Sequence, residues 1–125
     1  MEAGATAVIG SHPHVLQPLQ KHLTQDGRMT LIMYSLGNFV SYQGKPQCQS
    51  TIVLLLGLTK TAQGTIINGV KFIPMQMQNR HGRKNLQLTP INYHNSPHAQ
   101  IISQTMPMEN AIYSPLTRVN LGCER

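Results

Sequence analysis

Tryptophan is absent from this sequence, phenylalanine occurs twice, and only Glu2, Asp26, Glu109 and Glu124 carry a carboxylate side chain. With aromatics at 5% and charged residues at 11% of 125 positions, core and surface must be built from aliphatic side chains, amides, hydroxyls and eight prolines. That balance suits strands more than helices. The shortage of acids also limits the chemistry, because a mechanism that needs paired carboxylates has almost nothing to draw on. It sets the net charge of +6 as much as the ten Lys and Arg do. A positive field favours anionic partners without naming one.

Cysteine is equally sparse. Cys48 and Cys123 form neither a C-x-x-C nor a zinc-knuckle spacing, so two free thiols and one disulfide both stay open. No window approaches the roughly 18 apolar residues that a membrane-crossing helix needs, so no membrane span is expected. No charged-then-apolar leader opens the chain, and "MEAGATAVIG" reads as an internal start. The length fits one domain.

What is present reads as short strands joined by turn signals. Thr6 to Ile9, between Gly4 and Gly10, reads as a buried strand leaving a preceding helix. Val15 to Leu23 and Arg28 to Tyr34 flank "TQDG", a hairpin signal in which Asp26 and Gly27 both tolerate positive φ. "MTLIMY" lacks alternation and should be covered on both faces. "SLGNF" is a tight turn and residues 41 to 50 a polar surface loop. "TIVLLLGLTK" and "TIINGVKFIPMQMQ" surround "TAQG", which predicts a longer hairpin. In its second arm the apolar parity changes near Pro74, where a bulge or break is expected. "NRHGRKN" is a basic loop. From Ser96, "SPHAQIISQTM" carries an N-cap serine, a proline at N1, and Ala99, Ile102 and Met106 at helical spacing. The tail beyond Pro107 shows no period.

The stretch "VIGSHPHVLQP" holds His12 and His14 one residue apart at the end of the first strand. In an extended segment such residues point to the same side. The intervening proline stiffens the pair. Neutral imidazole is a good ligand for zinc, manganese, iron or nickel. On spacing alone, however, H-x-H is a weak signal, and a polar turn at a strand end explains it too.

"AGATAVIGSHPHVLQP", residues 3 to 18, together with "YSLGNFV", residues 34 to 40, closely resembles the poly-γ-glutamate capsule synthesis (CapA-like) family, whose members look like calcineurin-like metallophosphoesterases. The resemblance covers residues 3 to 40 and, more loosely, the hairpin from Ser50 to Gln78. It implies an α/β fold seen here as a β-rich fragment, the C-terminal portion of a metallophosphoesterase-like β-sandwich with two hairpins and one short helix. Residues 1–78 would belong to that domain, and residues 79–125 would add the basic loop, the helix and the tail. "SHPH" would stand where the superfamily carries its last G-H-x-H metal motif, with Ser11 replacing glycine. His12 and His14 would then each bind one ion of a binuclear centre, with Mn, Fe, Zn or Ni as candidates. Asn38 would take a structural or substrate-orienting place in the same cleft; the alternative is an Asn that tolerates a left-handed turn.

Two histidines cannot build a two-metal site, which needs several His and carboxylate ligands including a bridging group. None of the four acids is convincingly placed to help. The expectation is a chain that supplies metal ligands, holds no ion stably and is hydrolytically inactive by itself. In the intact family protein, the implied partner is a phosphate ester or an anionic envelope polymer, and the implied location is the cell envelope. An exposed sheet edge at the first strand would promote a homodimer or strand swap.

Other templates fail. "GNFVSYQGKP" has its glycines too far apart for a phosphate loop and Pro46 at the Ser/Thr position, and no G-x-S-x-G elbow occurs. Arg80, His81, Arg83 and Lys84 allow a basic module for nucleic acid or an anionic polymer, but Tyr93 is the sole nearby stacking partner, which disfavours nucleic acid. A non-catalytic scaffold in capsule or wall assembly is a third reading. His22, His81, His94 and His98 read as incidental.

Overall fold

The computed structural model describes residues 1–79, 86–91 and 96–106. Arg80 to Lys84, Tyr93, His94, Glu109, Cys123 and Glu124 lie outside the described residues, and with them the basic cluster and the tail.

Met1 to Gly4 forms a turn closed by the Gly4 amide on the Met1 carbonyl at 3.1 Å, with Gly4 at φ 101°. It leads into β1 (Ala7–Ile9), followed by β2 (Leu19–Leu23) and β3 (Met29–Met33). These make a three-stranded sheet in the order β1-β3-β2, with β1 parallel and β2 antiparallel to β3. The central place of β3 accounts for its unalternating apolar run, since Thr30, Leu31 and Met33 are all buried. β1 departs from the expectation of a buried strand. Among the described residues it is an edge strand, and Val8 and Ile9 stay 47% and 44% exposed.

The β2–β3 hairpin forms as predicted, but its turn differs. The Gly27 amide donates to the Thr24 carbonyl at 2.9 Å, the Thr24 amide donates to Arg28 at 3.0 Å, and Gly27 alone in the loop takes positive φ. This is a three-residue loop ending in a left-handed glycine, which needs one such position rather than two.

A four-residue helix, α1 (Pro46–Gln49), interrupts the expected loop, its first turn favoured by Pro46 at N1. The long hairpin follows as β4 (Ser50–Thr61) and β5 (Gly64–Asn79), and β6 (Leu86–Pro90) joins the far edge of β5. No strand was anticipated at β6, whose five residues end in an edge-compatible proline. The irregularity in β5 is not at Pro74, which pairs in register with Ile52. It lies between Gly57 and Leu58, opposite which Asn68 is the extra residue. The parity change is real even so, with Val70 and Phe72 buried on one phase and Met75 and Met77 on the other.

α2 (Pro97–Thr105) starts at Ser96, whose Oγ accepts from the Ala99 amide at 3.0 Å. It buries the predicted stripe of Ala99 and Ile102, with Met106 just beyond its end. One core joins the pieces, formed by Leu16, Leu19, Leu31 and Met33 from the first sheet region, Ile52, Val70 and Phe72 from the second, and Ile102 and Met106. Each such side chain contributes about 1.5–3 kcal/mol on burial. The architecture is therefore two small sheets and a short helix around a shared interior. Among the described residues, no helix is long and apolar enough to cross a membrane.

Candidate functional site

The segment after β1 is held at both ends against the segment after β3. The Gly10 amide donates to Met33 O at 2.8 Å, the Leu36 amide to Gly10 O at 3.1 Å, and the Gln17 amide to Ser35 O at 3.0 Å, beside a bridge between Leu16 and Leu36. "SHPH" therefore projects as a turn next to "SLGNF". Within the second motif, Gly37 takes φ 76°, a Cβ added there would stand 3.0 Å from Ser50 O and 3.1 Å from Leu16 N, and its amide donates to Ser35 Oγ at 3.1 Å.

His12 and His14 do not sit in an extended segment, so the strand pleat is not what brings them together. His12 and Pro13 form a turn, and His14 has φ 62°, the one positive value at a non-glycine position among the described residues. The rings nonetheless converge, with centroids 6.5 Å apart and planes tilted by 42°. Both residues are exposed.

Asn38 is buried beneath them at 8% exposure. Its Oδ1 lies 2.8 Å from His14 Nδ1, and its Nδ2 donates to Gln43 Oε1 at 2.9 Å and to the Cys48 carbonyl at 3.0 Å. The left-handed conformation in this motif belongs to Gly37, so tolerance of such a turn does not explain the asparagine. Sequence reasoning had placed Asn38 near the histidines, but nothing in it pointed to Gln43 or to α1 as the anchor. Ile9, Leu36 and Phe39 line an apolar cleft of about 400 Å³ with Ile52, Val53, Leu54 and Leu56 of β4.

The acids that fall within the described residues are elsewhere. Glu2 meets His22 at 3.0 Å, and the bond to His22 holds its carboxyl below the usual range. Asp26 is bonded by the Thr24 hydroxyl and by Arg28 Nε at 2.7 Å, which together bring it down to about 2. Among the described residues, no three His, Cys, Asp or Glu side chains gather where an ion could be held. Two imidazoles thus suit a share in a metal site but do not complete one.

His98, set aside from the sequence, is buried with Nδ1 3.0 Å from Ser50 Oγ, which in turn donates to Pro46 O at 2.8 Å. It ties α2 to the α1–β4 junction that carries Cys48. Among the described residues, Cys48 has no disulfide partner.

Residues 1–43 match the family model described as bacterial capsule synthesis protein PGA_cap. This segment is thus similar to the CapA-like capsule synthesis family. The chain is similar to the PGA biosynthesis protein CapA of Bacillus subtilis (strain 168), at 38% identity over 63 residues, which are 50% of this chain and 15% of that protein. It is also similar to the capsule biosynthesis protein CapA of Bacillus anthracis, at 35% identity over 78 residues, which are 62% of this chain and 17% of that protein. The chain thus spans less than a fifth of the length of these curated relatives. No solved structure matches it.

Proposed function

We propose that the chain forms part of a metallophosphoesterase-like domain in a bacterial capsule or poly-γ-glutamate biosynthesis protein, where His12 and His14 each offer a nitrogen to one ion of a two-metal centre. The observation that carries this reading is the pair of exposed rings, 6.5 Å apart, one of them anchored on buried Asn38. Neutral imidazole accommodates Mn, Fe, Zn or Ni. When bound, such a centre would supply Lewis-acid chemistry for hydrolysis at phosphorus. The part played by this chain is to hold two ligand nitrogens at a fixed separation, with the other ligands coming from polypeptide outside the described residues. The substrate would be a phosphate ester or an anionic envelope polymer, and the place of action the cell envelope.

The chain alone is hydrolytically inactive on this view and retains no ion tightly. Titration of the purified chain with Zn²⁺, followed by histidine side-chain ¹⁵N NMR, should perturb His12 and His14 with weak affinity, and His12→Ala should remove the response. Ions that move only His22 or another histidine would overturn the assignment. Metal-dependent turnover of p-nitrophenyl phosphate by this chain, lost in His12→Ala, would overturn its inactivity.

A further inference from the structure

We propose that Asn38 is a positioning residue that sets the tautomer of His14, keeping the proton on Nδ1 and turning the Nε2 lone pair outward. The use of that lone pair rests on the metal reading above; the tautomer itself does not.

The argument starts at Cys48. A backbone carbonyl only accepts, so the amide group 3.0 Å from Cys48 O must be the NH₂ of Asn38, and Gln43 Oε1 at 2.9 Å takes its second proton. This orients the side chain without reference to histidine. Oδ1 then faces His14 Nδ1 at 2.8 Å, and an amide oxygen has no proton to give. The contact is favourable only if Nδ1 carries the hydrogen. Nε2 of the neutral ring is then left with a lone pair and, because His14 is exposed, open to solvent. A histidine side chain in water prefers the opposite form, with hydrogen on Nε2.

Two further observations bear on Asn38 as a positioning group. Asn38 is buried and makes three hydrogen bonds, whereas His14 is exposed, so the more firmly anchored partner sets the orientation. His14 also occupies the left-handed region at φ 62°, a conformation that side-chain-bearing residues rarely adopt and that persists where surrounding contacts over-determine it. A partner that fixes the ring through Nδ1 while Nε2 is the ligating atom is the usual way a protein orients a metal-binding histidine.

The chain contains its own comparison. His22 Nε2 lies 3.0 Å from the carboxylate of Glu2, so a neutral His22 must carry its hydrogen on Nε2, the reverse of His14. Long-range ¹H–¹⁵N spectra of histidine-labelled chain, without metal and at a pH well above the ordinary imidazole value, should show the Nδ1–H form at His14 and the Nε2–H form at His22. Asn38→Leu should move the His14 ratio toward Nε2–H by about five- to tenfold, the size of one net hydrogen bond, with His22 unchanged. Asn38→Asp retains an acceptor and should keep the Nδ1–H form. A wild-type His14 found as Nε2–H would overturn the proposal, and needs no variant. Equal ratios in wild type, Asn38→Leu and Asn38→Asp would overturn it as well. A firm Nδ1–H form in a chain whose histidines ignore Zn²⁺ would sink the metal reading and leave the tautomer assignment standing.

Discussion

Gly10 passes so near Tyr34 that a Cβ on the glycine would stand 2.3 Å from the Tyr34 carbonyl oxygen. The obstacle is backbone and cannot swing aside. Gly10 also gives its amide to Met33 O and takes the Leu36 amide, so the contact sits where the histidine turn is fastened to the Asn38 turn. Gly10→Ala is expected to cost about 3 kcal/mol, at the upper end for forced overpacking, and to loosen the site with it. Urea unfolding checks the magnitude; a loss below about 1 kcal/mol would mean the two segments are less tightly apposed.

Gly57 makes a useful contrast. A Cβ there would meet Asn68 Oδ1 at 2.2 Å, but that atom ends a flexible side chain at the bulge. Asn68 can rotate away at the expense of its bond to Thr59 Oγ1. Gly57→Ala should therefore cost about 1 kcal/mol, the net worth of a hydrogen bond, and clearly less than Gly10→Ala in the same assay.

The β2–β3 hairpin should weaken in acid. The Asp26 carboxyl is brought from 3.8 down to about 2 by the Thr24 hydroxyl and Arg28. A depressed carboxylate stabilises the fold fully above its unfolded value and loses that contribution as pH falls through the folded one. The loss therefore falls between about pH 4 and pH 2, and Glu2, lowered through His22, acts in the same direction. Asp26→Asn should flatten this part of the curve of stability against pH. A carboxyl titration of Asp26 by NMR with its midpoint near 4 would contradict the assignment.

Among the described residues, β1 has a neighbouring strand on one side alone, and Val8 and Ile9 are exposed. Open apolar edges pair with other strands. The chain should self-associate in sedimentation at high concentration, and Ile9→Lys should suppress it without altering the unfolding midpoint by more than about 0.5 kcal/mol. A wild-type chain that stays monomeric throughout would rule this out.

Much of the local plan was legible beforehand. "TQDG" and "TAQG" mark their hairpins because turn chemistry is carried by a few adjacent residues. Ser96 and Pro97 announce α2 for the same reason, and its buried stripe follows from helical spacing. The pairing of "SHPH" with "SLGNF" was recognisable through resemblance. The bulge at Asn68, the helix at Pro46, strand β6 and the burial of His98 were not legible, because each depends on what lies across the sheet or under the helix.

The order of residues alone settled where the two hairpins turn, that β1 to β5 are strands, and that two imidazoles occur beside a glycine at a strand end. Tertiary structure decided that the rings meet through a left-handed turn rather than a pleat, and that Asn38, 24 positions away, reaches His14. The reason is range: turn preferences act between neighbours, whereas an amide clasped by Cys48 and Gln43 exists only after α1 has packed beneath the site.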